Sequence, residues 1–330
     1  MIASIEFTNF KILRAARIEL GPFNLLIGPN GSGKTSVLVA LQRLRQLAAR
    51  PPQFAVKPAP ASADCGHLLF RFTAPFADVL AQIECAPDGT GRSLRIVGGH
   101  DVPARWPALV ARLATVRVVT LEQAALARPS PAGAAILLGD DGTNLPAALD
   151  RLSREQPDTW ARLVDEFRRI LPEYRSLGIA TADDGTRRLV AEIIGEERAL
   201  GAEELSQGTL ALIGLLVLTL VQPLPSVLCL EEIDRGIHPR LLREVRDLLY
   251  RLSYPEPGQS RTQILTTTHS PYLLDLFRDQ LDEVVVAQKR GAEATFERLS
   301  DREDLRGAIG SASLGDLWYS GILGGVPEER

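Results

Sequence analysis

The chain of 330 residues is 45% hydrophobic and 24% charged, with a formal net charge of −4. It is long enough for one large domain or two lobes, and it carries no global basic field, so any contact with nucleic acid or anionic lipid has to come from a local patch. Three cysteines, Cys65, Cys85 and Cys229, are odd in number and lack CxxC spacing, which argues against a disulfide framework or a zinc site and for a reducing compartment.

The first twenty residues, "MIASIEFTNFKILRAARIEL", lack the charged and apolar regions of a signal peptide. Ile2, Ile5 and Phe7 predict one half-buried strand, and Ile18 and Leu20 a second. "FNLLIG" (23–28) is an apolar run ending in a glycine-rich turn, and from Thr35 the spacing of Val37, Leu38, Leu41, Leu44 and Leu47 predicts a helix. Between them, "GPNGSGKT" (28–35) fits G-x-x-x-x-G-K-[ST] in full. The physics needs this strand–loop–helix context. Gly28, Gly31 and Gly33 let backbone N–H groups turn inward toward phosphate oxygens, and the helix N-terminus adds its positive dipole end. Lys34 is expected on the β/γ-phosphates and the Thr35 hydroxyl on Mg²⁺, with Asn30, Ser32 and Ser36 completing the nucleotide-binding stretch. A glycine turn carrying a chance lysine is the bland alternative; it leaves the flanking strand and helix unexplained.

Pro51, Pro52, Pro58 and Pro60 mark a loop. Residues 68–72 and 80–98 read as strands around a "PDGTG" turn, and "VRVVTL" (116–121) as another, before a second linker, "RPSPAG" (128–133). Trp160, Leu163, Val164, Phe167 and Leu171 share a helical face, and "ADDGT" (182–186) turns between two strands. The last third alternates: a helix from about Gln207, a strand at 226–232, a helix from Pro239, a strand at 263–268, a helix from Pro271 and a strand at 283–288. Such alternation implies a largely parallel α/β sheet. The longest apolar stretch (210–221) is shorter than the ~20 residues of a membrane span, so a cytoplasmic protein without membrane contact is expected.

Three further stretches carry chemistry. "VLCLEEID" (227–234) sets two carboxylates at a strand's C-terminal end, the ligand-binding edge of an α/β sheet. Glu231 is expected to orient Mg²⁺ and Glu232 to polarise the attacking water as general base, strand alternation pointing them apart; an acidic strand end leading into a turn is the bland reading. "TTTHSP" (266–271) ends another strand, where His269 can reach a γ-phosphate oxygen, whereas His238 before Pro239 reads equally well as a turn residue. "LSQGT" (205–209) opens a helix so apolar that burial explains it, with Ser206 as N-cap. Its serine hydroxyl and glycine-exposed N–H groups also make an anion site, and both readings can hold together.

In this order, "FTNFKIL", "LLIGPNGSGKTS", "LSQGT", "LCLEEIDRGIHP" and "TTTHSP" resemble the ABC/SMC-type, AAA-family ATPases of the RecF-like and OLD-like group, and "DGTNLPAALDRL" (141–152) resembles a segment of their intervening lobe. The resemblance implies an α/β P-loop NTPase fold with a mostly parallel core sheet, an N-terminal antiparallel β portion and a helical lobe. Residues 1–50 and 226–330 would form the nucleotide-binding core, 51–127 its β-rich segment and 128–225 the signature lobe. It implies a homodimer enclosing two ATP molecules and Mg²⁺, in which Ser206, Gln207 and Gly208 touch the γ-phosphate held by the other chain and Asp234 lies on an interface loop. Glu231 stands where aspartate is more usual, as in the OLD-like branch, and Gln82 is a weak candidate for the lobe-linking glutamine. No long coiled coil is inserted and no TOPRIM-like domain is seen, so a separate effector protein is implied, with phage defence or DNA repair as the role. DNA stays a candidate partner through Arg240, Arg243 and Arg251 or Arg43, Arg45 and Arg50, unless these are solvated helix faces. A nucleotide-dependent scaffold with little turnover is the alternative; a transporter subunit is disfavoured by the departure from LSGGQ, and a GTPase by the lack of NKxD.

Overall fold

Alternating apolar residues at the amino terminus form β1 (Ile2–Phe10), whose Ile2, Ile5, Phe7 and Phe10 are buried. In the computed structural model, which describes residues 1–60, 65–133, 136–290, 293–305, 307 and 312–324, the chain separates into two compact units. The first comprises Met1–Val118, Pro225–Leu230 and Arg261–Arg330, the second Val119–Leu224 and Glu231–Ser260.

In the first unit β1 pairs antiparallel with β2 (Leu13–Glu19), Ile5 opposite Ile18. β3 (Phe23–Ile27) is buried throughout and leads through residues 28–33 into α1 (Lys34–Ala48). β4 (Gln53–Ala55), β5 (Gly66–Phe72), β6 (Leu80–Cys85) and β7 (Gly91–Val97) complete a sheet of order β2-β1-β5-β6-β7-β4. It is antiparallel except where β4 joins β7. α2 (Val102–Leu113) then buries Val102, Trp106, Leu109 and Leu113 at helical spacing. The sequence pattern marks no element there; Pro103 lies in the first turn, and Pro107 is tolerated inside the helix. β8 (Arg117–Val119) ends this stretch.

The second unit opens with α3 (Gln123–Leu126), α4 (Leu145–Glu155) and α5 (Pro157–Ile170). β9 (Tyr174–Thr181), β10 (Arg187–Ile193) and β11 (Leu200–Gly201) form an antiparallel sheet of order β11-β10-β9. α6 (Gln207–Leu220) follows and is buried almost all round.

β12 (Val227–Leu230) returns to the first unit, α7 (Leu242–Ser253) belongs to the second, and the rest is again in the first: β13 (Gln263–Thr267), α8 (Pro271–Asp275), β14 (Val284–Arg290), β15 (Glu293–Arg298) and α9 (Leu314–Tyr319). The core sheet runs β15-β14-β3-β13-β12-β8. Its strands β14, β3, β13 and β12 are parallel and β15 is antiparallel. The register Leu230↔Thr266, Thr267↔Leu26 and Val286↔Ile27 aligns the C-terminal ends of β12, β13, β3 and β14. The glycine-rich loop and the His269 turn therefore leave one edge of one sheet, the edge where α/β proteins bind ligands.

Two expectations need correction. β12 stops at Leu230, so Glu231 and Glu232 lie beyond the strand, and Glu232 takes a left-handed backbone (φ 49°). Their different directions come from this turn, not from strand alternation. The helix expected from Pro239 is first a 3₁₀ turn, Pro239–Leu241, before α7 begins at Leu242.

Candidate nucleotide site

The loop between β3 and α1 can pass β14 only because Gly28 lacks a side chain: its φ is 144°, and a Cβ there would collide with the Ala287 carbonyl oxygen. Gly33 (φ 103°) is the N-cap of α1 and offers no side chain to the first turn, so the helix mouth has no side-chain cap. Lys34 is 7% exposed, and its ammonium donates to the carbonyl oxygens of Gly28 (2.8 Å) and Pro29 (3.0 Å). Ser32 is fully buried and its Oγ has no hydrogen-bond partner. A buried orphan hydroxyl costs free energy unless something fills the bond. An uncapped helix N-terminus, a buried ammonium and that hydroxyl make one loop a donor set, and it fits a polyphosphate.

The neighbouring groups differ in exposure. Asn30 and Gly31 are exposed at the loop tip; in the first turn of α1 the Thr35 side chain is exposed while Ser36 is buried. An exposed hydroxyl beside a phosphate cradle is suited to a hydrated Mg²⁺. Gly28, Pro29 and Asn30 line a cavity of about 450 Å³ with His269, Pro271, Gly315, Trp318 and Tyr319. His269 is brought to the loop as expected. Its imidazole lies against the Trp318 indole, ring centroids 6.4 Å apart and planes at 25°.

In the second unit, Glu231 accepts a hydrogen bond on Oε2 from the Thr120 hydroxyl (3.4 Å), and its N–H donates to the Val119 carbonyl (3.1 Å). Glu232 faces Arg235 at 3.7 Å, and the Arg235 N–H donates to the Glu232 carbonyl (2.9 Å), closing the turn. Asp234 continues this loop, its carbonyl accepting from the Ile237 N–H (3.1 Å). Ser206 caps α6: its Oγ accepts from the Thr209 N–H (3.1 Å) and lies 2.9 Å from the Thr209 hydroxyl. Gly208 is buried, and a Cβ there would fall 2.6 Å from the Gly236 carbonyl oxygen, while the Gln207 side chain covers Gly236. The "SQG" mouth and the loop after the carboxylates are thus packed together. Of the predicted residues, the glycine-rich loop and His269 are in the first unit; Ser206, Gln207, Gly208, Glu231, Glu232 and Asp234 are in the second.

Residues 114–275 match the family described as "AAA domain, putative AbiEii toxin, Type IV TA system", and residues 1–68 match "AAA ATPase domain". Among solved structures, an SMC head bound to the C-winged helix domain of ScpA is 17% identical, covering 92% of this chain and 99% of that one with a TM-score of 0.60. The SMC head domain of Thermotoga maritima is 16% identical, covering 90% and 98%, with a TM-score of 0.50. AAA-family ATPase domain models thus match residues 1–68 and 114–275, and the fold is shared with SMC head domains. No match was found among curated proteins.

Against the features of an ABC/SMC-type ATPase, Gln82 is misplaced. It sits in mid-β6, nearly buried, and its amide exchanges two 2.8 Å hydrogen bonds with the Ala59 backbone, holding a surface loop. Thr120, which sequence reading missed, occupies the junction after β8, and its hydroxyl reaches Glu231. The sequence pattern places it inside the strand at 116–121, whereas β8 ends at Val119. Of the six arginines proposed for DNA, Arg251 pairs with Glu166 (2.6 Å) and Arg240 with Glu173 (3.8 Å), while Arg43 donates to the Gly89 carbonyl and to Gln46. Burial pushes the Cys85 thiol up to about 11 and that of Cys229 further, so neither is a thiolate nucleophile at neutral pH. Among the described residues no helix is long and apolar enough to cross a membrane.

Proposed function

We propose that this chain is a cytoplasmic, Mg-ATP-dependent dimerising ATPase that couples nucleotide binding and hydrolysis to the control of a separate effector protein. The donor set of Lys34, Ser32 and the uncapped α1 carries this reading. When bound, Mg-ATP supplies the γ-phosphoryl group and the divalent charge that offsets its oxygens. Lys34 and the loop from Asn30 to Gly33 hold the phosphates, with Ser36 behind them in α1. Thr35 and Glu231 would each serve as a metal ligand, and the Thr120 hydroxyl orients Glu231. Glu232 takes the proton of the attacking water, and His269 reads the γ-phosphate. Ser206, Gln207 and Gly208 of a second copy close the site, with Asp234 on the interface loop; the packing of Gly208 on Gly236 makes these two stretches one surface. The two-lobe division is carried over in the same way, with the segment 231–260 grouped with the signature lobe.

The matched family's description names a toxin of a type IV toxin–antitoxin system, which favours an effector-coupled role such as phage defence over DNA repair. The ion pairs of Arg240 and Arg251 also weaken a DNA-facing role. One observation favours the scaffold reading: Glu232, with its left-handed backbone, faces Arg235, and a base so paired polarises water less well.

Light scattering of Glu232→Gln after size exclusion, with and without Mg-ATP, tests the proposal. A mass that doubles with ATP, together with phosphate release by the wild type that falls by about 10²–10⁴ in the variant, is the expected outcome. A monomer under both conditions refutes dimerisation, and absence of phosphate release from the wild type favours the scaffold.

A further inference from the structure

The turn that presents His269 is fixed through its backbone. The Thr268 N–H donates to the Leu26 carbonyl (3.3 Å), the Ser270 N–H to the Thr268 hydroxyl (2.9 Å), and the Leu273 N–H to the Ser270 Oγ (3.2 Å). This holds the Cα of His269 but leaves its side-chain torsions to whatever the ring touches. His269 is exposed to solvent, so neighbouring groups at the cavity wall bear on its rotamer. Beside it stands the indole of Trp318, with ring centroids 6.4 Å apart.

The indole is itself held from several directions. Ser313 caps α9 by accepting from the Asp316 N–H (3.0 Å), and Leu314 and Leu317 are buried. The Gly315 N–H donates to Asp275 Oδ1 of α8 (2.8 Å), and a Cβ at Gly315 would lie 2.8 Å from Pro271, so α9 sits as close to α8 as the backbone allows. Beyond the helix, Leu323 is fully buried with its N–H on the Leu317 carbonyl (3.2 Å), and Gly324 rests against Gln288 of β14. Trp318 is half-buried and Tyr319 is 92% exposed. Two aromatic rings therefore face the cavity beside the glycine-rich loop, although α9 has buried leucines enough to anchor it without them.

We propose that Trp318 is a positioning residue for His269: α9, clamped on α8 through Asp275 and Gly315, holds the indole beside the imidazole, the planes near parallel, and keeps that ring at the cavity wall beside Gly28, Pro29 and Asn30. This rests on the reading of His269 as the γ-phosphate contact. Small errors in the placement of such a group cost rate more than affinity, because the contact matters most as charge develops on the transferred phosphoryl oxygens.

The test has an optical and a kinetic arm. The emission of Trp318 is isolated by subtracting the spectrum of Trp318→Phe from that of the wild type. It is expected to change with Mg-AMPPNP, to stay unchanged with Mg-ADP, and to lose the difference in His269→Ala. In turnover, Trp318→Leu should lower kcat by roughly tenfold or more with KM within about twofold, the signature of a misplaced catalytic contact. Trp318→Phe, which keeps a flat ring, should recover most of it. Asp275→Asn should act in the same direction, more weakly. Trp318→Leu combined with His269→Ala should be no slower than His269→Ala alone, since the indole acts through the imidazole.

Equal emission with the two nucleotides, or multiplying rate losses in the double variant, overturns the positioning role while leaving His269 in place. Wild-type turnover in His269→Ala instead refutes the reading of His269 on which the proposal stands. If Trp318→Leu does not fold by circular dichroism, the emission experiment decides the question, because it needs only Trp318→Phe and His269→Ala.

Discussion

Two helix mouths in this protein look alike in sequence and are built in opposite ways. α1 begins after "GSG" and α6 begins at "SQG", and both set small polar residues before a buried helix. At α6 the mouth is closed on itself: Ser206 receives the Thr209 N–H, and Gly208 is explained by its approach to Gly236. At α1 the N-cap is a left-handed glycine without a side chain, beside a buried ammonium and a buried serine hydroxyl that has no partner. Helix ends satisfy their first N–H groups with whatever is at hand. The self-capped end is complete without a ligand, whereas the glycine-capped end would gain from the anion proposed for it.

The contrast breaks most sharply at Lys34. Lys34→Ala should weaken ATP binding by about 2–5 kcal/mol, roughly 30-fold or more, because a buried charge contact is lost; isothermal titration showing unchanged affinity would remove the phosphate cradle from the proposal. At the other mouth, Ser206→Arg should leave ATP affinity of the single chain intact yet abolish the ATP-dependent mass increase of Glu232→Gln. Dimerisation as before would mean that α6 is only a core helix. Next in size, Gly208→Ala forces a methyl against the Gly236 carbonyl and should destabilise the fold by about 1–3 kcal/mol, read as a lowered urea midpoint. Ser206→Ala removes only the cap and should cost about 1 kcal/mol. A larger loss for Ser206→Ala than for Gly208→Ala would reverse the ranking of cap and contact.

The smallest expected effect concerns the α5–α7 clamp that supports the second unit. Arg169, reinforced by Arg251, holds the Glu166 carboxyl below its usual 4.5 despite partial burial. A carboxylate with a depressed folded value stabilises fully above the unfolded value and loses that contribution as pH falls through the folded one. The melting temperature of the wild type should therefore exceed that of Glu166→Gln at pH 7 by an amount worth under about 1 kcal/mol. The gap should close below about pH 4.5, and a gap that persists at pH 3 would assign the difference to packing.

Local patterns were the legible part. "GPNGSGKT" between an apolar run and a helical period states its own conformation, because glycine torsions, helix start and lysine are set within eight residues. The alternation of strands and helices in the last third likewise predicted the parallel sheet that the registers show. α2 went unassigned, since a helix interrupted by Pro107 is held by burial of Trp106 and Leu109 against the first unit's core, which no local pattern states. Gln82, a weak candidate for the lobe-linking glutamine, ties down a surface loop instead, since an isolated glutamine carries no sign of which backbone it will meet.

Sequence alone nominated the residues proposed for the nucleotide site: the glycine-rich loop, the paired carboxylates and His269 are each defined by spacing within one short segment. Tertiary structure decided which of them are held and by what. Thr120 meets Glu231 across 111 positions, Asp275 meets Gly315 across 40, and the indole of Trp318 reaches His269 from a helix that the sequence did not announce. The physical reason is range. Backbone torsions and helix ends are governed by neighbours in the chain, whereas a side chain's partner depends on where folding brings distant segments, and that is set by packing of the whole core.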